Sequence, residues 1–355
     1  MKLPGVFLYS AVILAPGISV GNARQLEVLH IIDWHVHVAG LGYGNSGCFI
    51  SKKMRRNLRY KFFLNMFDVT EEQLEQQGDK LVLAKLDKKI RESRYVDQAV
   101  ILALDGVIDR HGELDRQHTQ LYVPNEFVAA ETAKYPALLF GASINPNRPD
   151  AIARLEQAHR RGAVLVKWIP SIMDIDPADE KFIGFYRRMA ELNLPLLTHA
   201  GRERSFSYAR DELADPMKLV LPLETGVTVI AAHIATTGNS AGQENFARIL
   251  PLFEKYPNLY TDISSLTQIN KLGYLVKALN NPHVIDRMIY GSDWPLQFFP
   301  LVSPWYHVKH IGIRQAWRIS RIDNPWDRDI KLKEALGVSR SVFERQPGSA
   351  AGFGN

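Results

Sequence analysis

Eight short apolar runs recur along the chain: Ile31 to Val38, Gln98 to Leu104, Leu138 to Ile144, Ala163 to Ile169, Pro195 to Thr198, Val227 to Ala232, Leu259 to Ile263 and Arg287 to Tyr290. Each has the length of a strand. Most are separated by amphipathic helical stretches, of which Asp150 to Arg161 stops at Gly162 and Asp179 to Leu192 at Asn193. Strands that are apolar along their whole length are buried on both faces, and strands alternating with helices make a parallel sheet. Eight such units in 355 residues close most economically into a (β/α)8 TIM barrel, an α/β fold. A doubly wound open sheet calls instead for a glycine-rich phosphate turn, and no G-x-G-x-x-G stands between a strand and a helix. No solenoid repeat or linker divides the chain, so residues 26–340 read as one domain.

Three segments fall outside this grammar. Residues 1–25 carry an apolar run, Phe7 to Val20, behind Lys2 and ahead of Gly21-Asn22-Ala23. That pattern suits a cleaved secretory signal, which would make the protein periplasmic or secreted. The thin positive charge and the Pro16-Gly17 break suit a segment closing the bottom of the domain, and the cytoplasmic reading is the one adopted here. The run is too short and too interrupted to span a membrane, so no stable membrane insertion is expected. Residues 40–95 form a helical insertion after the first strand: a loop with four glycines from Gly40 to Gly47, then helices over about 50–66 and 70–93, the second opened by Thr70. An insertion of this size above the strand ends is expected to cap a site, with Tyr43, Phe49 and Arg59 facing it; the alternative is a contact in a homo-oligomer. The Gly-rich stretch Arg345 to Asn355 reads as a disordered tail.

Composition narrows the function classes. A hydrophobic content of 46% with 23% charged residues is that of a globular enzyme. A net charge of +5 is too small to argue for nucleic acid but would help draw in an anionic small molecule. The basic run from Lys52 to Lys61 is interleaved with apolar residues and reads as a solvated helix face. With one cysteine, Cys48, any metal must be held by histidines and carboxylates.

In such a barrel chemistry gathers where the strands end. The residues there are His35, His37, Lys167, His199, His233, Asp262 and Asp293. His35-Val36-His37 puts two imidazoles on one strand face, with Asp33 beside them and Ile32, Trp34, Val36 and Val38 on the other, an arrangement suited to two ligands of one divalent ion. In order, Asp33-Trp34-His35-Val36-His37, Val166-Lys167, Leu197-Thr198-His199-Ala200-Gly201, Ala232-His233 and Tyr290-Gly291-Ser292-Asp293-Trp294-Pro295 resemble the successive motifs of the amidohydrolase superfamily. The likeness is greatest to the amidohydrolase-related group that includes aminocarboxymuconate semialdehyde decarboxylase and resorcylate decarboxylase, and it runs from about residue 30 to about 300.

The resemblance implies a distorted barrel holding one or two divalent metals, usually zinc, with manganese the alternative. His35, His37 and His199 would be imidazole ligands and Asp293 a carboxylate ligand; His233 would be the general acid or base, with Asp293 a second proton acceptor. Asp33 is expected to orient a ligand histidine. In binuclear members a lysine at the position of Lys167 is carboxylated and bridges two metals. Here Trp168-Ile169-Pro170 resembles the branch without that bridge, so one ion is expected and Lys167 is read as a group for a substrate anion. Arg202 and Arg204 are expected to bind a carboxylate or phosphate of the small-molecule substrate, and His111 and His118 to lie on the surface. The expected reaction is hydrolysis of an amide, ester or lactone of a small anionic substrate by metal-activated water. The alternatives are metal-dependent, non-oxidative decarboxylation of an aromatic or unsaturated carboxylic acid, and a catalytically inactive barrel that only binds.

Overall fold

A computed structural model describes residues 30–56 and 59–348. The eight apolar runs form the strands β1 (Ile31–His37), β2 (Val96–Leu102), β3 (Leu138–Ala142), β4 (Leu165–Trp168), β5 (Leu196–His199), β6 (Val229–Ala232), β7 (Leu259–Asp262) and β8 (Met288–Ile289). All pairs are parallel and each strand lies beside its successor. The ring closes just beyond β8, where Trp34 N–H donates to Tyr290 O (3.2 Å), Asp293 N–H to His35 O (2.9 Å) and His37 N–H to Trp294 O (2.9 Å). The expected (β/α)8 barrel is therefore present.

Two apolar layers hold it. Ile32, Trp34, Val100, Leu102, Leu165, Leu197, Ile230, Ala232 and Ile289 pack together in the barrel interior. Ile31, Val36, Val38, Val166 and Ile263 belong to a second, larger layer with the helices. Trp34 and Val36 are thus in different layers, although strict alternation would place them on one face. The reason is a register irregularity between Asp33 and Val36, which breaks the two-residue period at the functional end of β1. Asp33 consequently turns away from the site: it is buried and accepts hydrogen bonds from Trp326 Nε1 (2.7 Å), Ser292 N–H (2.9 Å) and His35 N–H (3.0 Å). It touches no histidine ring in this network, so its expected role as an orienting group is corrected to a clamp joining β1, the β8 end and the helix Pro325–Ala335.

The insertion is helical as expected, in four pieces: Lys52–Arg55, Arg59–Phe67, Glu71–Gln77 and Lys80–Arg91. Thr70 and Gln73 form a reciprocal capping box at the third. The break before the fourth lies at Gly78, whose φ of +81° and close approach to the backbone of Gly44 leave no room for a side chain. Beside it Asp79 is fully buried; its carboxylate accepts Leu41 N–H (3.0 Å), Gly42 N–H (2.8 Å) and the Ser46 hydroxyl. The glycine-rich loop is folded around this one carboxylate. At the other end of the chain, Arg345 donates to Ile285 O (3.0 Å) and Met288 O (2.6 Å), so the start of the expected tail is held to the barrel. The N-terminal segment of residues 1–25 and residues 349–355 lie outside the described residues. No helix among the described residues is long and apolar enough to cross a membrane.

Candidate active site

The β strands deliver His35, His37, Lys167, His199, His233 and Asp293 to one cavity of about 160 Å³. Asp262 lies beneath it and organises two of the imidazoles. His35 Nδ1 is 2.7 Å from Asp262 Oδ2, which makes Nδ1 the protonated nitrogen and leaves a lone pair on Nε2. Ser264 spends its one hydroxyl proton on Asp262 Oδ1 (2.5 Å), so it can only accept from His233 Nδ1, 2.7 Å away. His233 therefore also presents an unprotonated Nε2. Burial opposes ionisation of Asp262, but His35, the His233 N–H and Ser264 outweigh it and hold the carboxyl well below the usual range.

The turn that carries His233 is strained. His233, Ile234 and Ala235 all have positive φ (52°, 51° and 54°), a left-handed conformation that costs non-glycine residues about 1–2 kcal/mol each. It is fixed by His233 N–H to Asp262 Oδ1 (2.9 Å), Ile234 N–H to Thr261 Oγ1 (2.9 Å) and Thr236 Oγ1 to His233 O (2.8 Å). The strain is held by its surroundings and aims one imidazole, as expected of a functional turn.

The donor atoms could hold a cation. His35 Nε2 lies 3.0 Å from His37 Nε2, and Asp293 Oδ1 is 3.5 Å from both. His199 Nε2 is buried without a hydrogen-bond partner, with Glu203 Oε2 3.6 Å away. Such a gathering of acceptors is unfavourable unless a positive charge joins them. The nearest proton donor is Lys167 Nζ, 2.9 Å from His35 Nε2. Burial, and then neighbouring positive groups, lower the pKa values of His37 and His233 well below the ordinary histidine value; burial likewise lowers that of His199. Neutral imidazoles are the form that binds metal. Burial also brings the Lys167 ammonium down to about 8, against the pull of Asp262, Asp293 and Glu203.

The amidohydrolase family profile matches residues 32–300, which is most of the chain. The chain belongs to the amidohydrolase family. Amidohydrolases are metal-dependent enzymes, and the chain is an enzyme of that kind, with His35, His37 and Asp293 among its possible ion-holding groups. No curated protein matches the sequence. Among solved structures, an uncharacterised TIM-barrel protein from Bordetella bronchiseptica is 16% identical, covering 87% of this chain and 100% of its own, with a TM-score of 0.53. A probable 2-pyrone-4,6-dicarboxylic acid hydrolase from Acinetobacter baumannii is 14% identical, covering 89% and 99%, with a TM-score of 0.50. A 5-carboxyvanillate decarboxylase from Sphingomonas paucimobilis is 12% identical, covering 89% and 99%, with a TM-score of 0.47. At these identities the likeness is one of fold.

The remaining expected residues are less central. Arg202 and Arg204 line the mouth of the amidohydrolase's cavity; the Arg202 side chain is half exposed and 3.5 Å from Asp211. His118 is an exposed partner of Asp115. From the cap, Leu41, Ile50, Met54, Tyr60 and Phe63 supply an apolar wall. Tyr43 and Phe49 are not part of it: Phe49 stacks on Tyr122 and lies under the Arg116 guanidinium. Two charged residues of the cavity, Glu203 and Lys271, were not anticipated in functional roles. Glu203 stands between the two arginines and shows only by its i+4 spacing from His199, whereas no motif surrounds Lys271.

Proposed function

We propose that this amidohydrolase cleaves an amide, ester or lactone bond of a small anionic substrate by hydrolysis. His35, His37, His199 and Asp293 are the proposed ligands of one divalent ion. Zinc is the proposed metal, since three imidazoles and a carboxylate suit it, with manganese second. Bound there, the ion would supply Lewis acidity, lowering the pKa of water toward neutrality and polarising the scissile carbonyl.

The observation that carries the reading is the tautomer of His233. With Nδ1–H committed to Ser264, Nε2 is a lone pair facing the cavity, and burial keeps the ring neutral. Such an imidazole can take a proton from water as the oxygen attacks the carbonyl carbon. A bond from that oxygen to carbon forms, the bond to the leaving nitrogen or oxygen breaks, and His233 returns its proton to the leaving group. Decarboxylation through the same residues would need His233 to enter the reaction already protonated at Nε2, in order to protonate carbon. Lys167 and the mouth arginines Arg202 and Arg204 are the proposed contacts for substrate charge, and the cap wall excludes water from the reacting bond.

Lactones, esters and amides should be screened beside hydroxybenzoate-type acids on zinc-loaded protein, with carbon dioxide release monitored. Hydrolysis that disappears in His233→Ala is the expected result. Metal-dependent carbon dioxide release from an acid, abolished in His233→Ala and unaccompanied by any hydrolysis, would replace hydrolysis with decarboxylation.

A further inference from the structure

We infer that Lys271, in addition to Lys167 and the mouth arginines, holds a carboxylate of the substrate, on an otherwise apolar small molecule, in this cavity. The inference rests on the cavity being the substrate site proposed above. Lys271 is only 7% exposed and lines that cavity. Its position is built rather than incidental. The chain after β7 turns back through Gln268 N–H to Ser265 O (3.0 Å) and Lys271 N–H to Gln268 O (2.9 Å), while Gln268 Nε2 donates to Ser265 Oγ (2.8 Å) and Ile269 N–H to Leu301 O (2.9 Å). The ammonium is close enough to Asp293, Glu203 and Asp262 for their charges to act on it, and its own charge acts on His199 and His233.

What sets Lys271 apart is that it has no partner. Buried Lys333 is paired with Asp329 Oδ2 (2.6 Å) and Gly291 O (2.9 Å), and buried Arg148 is bidentate on Asp105. Lys167 reaches His35 Nε2. The Lys271 ammonium has no hydrogen bond or ion pair among the described residues; Asp293, Glu203 and Asp262 act on it only at longer range, so it is left to a ligand in the cavity it lines. Of the mouth arginines, Arg202 already faces Asp211. In the same cavity Tyr60, Phe63 and Leu64 leave the body of the ligand an apolar surface.

Benzoate and its neutral analogue benzamide are the probes, titrated calorimetrically into zinc-loaded, full-length protein. Wild type, Lys271→Met and Lys271→Arg are compared, with zinc content measured on each. Wild type should bind benzoate about tenfold more tightly than benzamide, the worth of one charge-assisted hydrogen bond. Lys271→Met should lose that preference at unchanged zinc content, and Lys271→Arg should keep most of it. Should Lys271→Met fail to fold, Lys271→Gln carries the same comparison. Absence of a benzoate preference in wild type overturns the inference. A preference that survives in the Lys271 variants but vanishes when zinc is removed also overturns it, since the carboxylate then sits on the ion. Failure of the hydrolytic reading is separately visible: Lys271-dependent benzoate binding without turnover of any ester, amide or lactone supports the role of Lys271 and removes only the proposed reaction.

Discussion

The floor of the cavity and its roof are held by opposite means. On the floor each polar side chain is fixed by several others: Asp262 alone ties His35, Ser264 and the backbone of His233, and all of them stand on or just past strand ends. The roof is an apolar surface of short helices whose glycine loop is folded on one buried carboxylate, Asp79, and on the backbone contact of Gly44 with Gly78. Apolar packing attaches the insertion to the barrel: Val82, Leu83, Leu86 and Ile90 of the helix Lys80–Arg91 are buried in the same core as the strands, and the Phe62–Phe298 stack and the pairing of Phe49–Ile50 with Leu121–Tyr122 add to it. The difference separates chemistry from selection. The floor cannot be altered without disturbing the reacting groups, whereas the roof can change without touching them.

Variants of the floor should therefore act on metal and turnover alone. Asp293→Ala removes a proposed ligand; zinc content should fall to background and turnover by about a thousandfold or more, some 4 kcal/mol of lost transition-state stabilisation. Near-zero metal in reconstituted wild type would remove the metal reading altogether. Next in size is His233→Ala, expected to lower turnover by about 10²–10⁴-fold while zinc stays bound, which separates the proton carrier from the ligands. Elemental analysis beside steady-state rates decides both. If His233→Ala also emptied the site, the proposed division of roles on the floor would be wrong.

The same contrast explains what was legible in the sequence. The floor is written in local motifs: His35-Val36-His37, His199, His233 and Asp293 fall at equivalent places in successive strand–helix units, so the barrel and its cluster could both be read from spacing. What escaped was set by geometry across the chain. Asp33 looked like the orienting carboxylate because strict alternation puts it beside His35; the irregularity in β1 turns it toward Trp326, and Asp262, 227 residues from His35, takes the role. Lys271 belongs to no repeating position. In the cap, helices were legible from periodicity, but the residues facing the cavity were not, because that depends on how four short helices pack on the barrel and not on a repeat in the sequence.

Asp79→Ala tests how the loop of the roof is held. It leaves the buried Ser46 hydroxyl without its acceptor, which costs about 1–3 kcal/mol, whereas the Leu41 and Gly42 N–H groups are near enough to solvent to find water. The expected loss is about 1–3 kcal/mol, confined to the cap. Hydrogen exchange should speed up in the loop 40–47 and the helix Glu71–Gln77 while the barrel strands and the helix Lys80–Arg91 keep their protection and zinc stays bound. Equal loss of protection in β5 and β6 would show that cap and floor are one cooperative unit, and the separation argued above would fail.

The smallest expected effect is the most specific to selection. Phe63 lines the cavity from the cap helix Arg59–Phe67, and Phe67, one turn on, is buried with its ring edge-on to Trp294 at 6.5 Å, so the helix stays anchored when Phe63 is shortened. Phe63→Ala removes apolar contact with the body of the ligand and nothing that touches the reacting bond. A partly buried aromatic contact is worth about 1–2 kcal/mol, which corresponds to roughly a tenfold rise in KM. Because that contact is the same in the ground state and the transition state, kcat should stay within about twofold. A fall in kcat at unchanged KM would mean that the roof takes part in the transition state, as a cap that closes only over the reacting substrate does, and the assignment of chemistry to the floor alone would have to be given up.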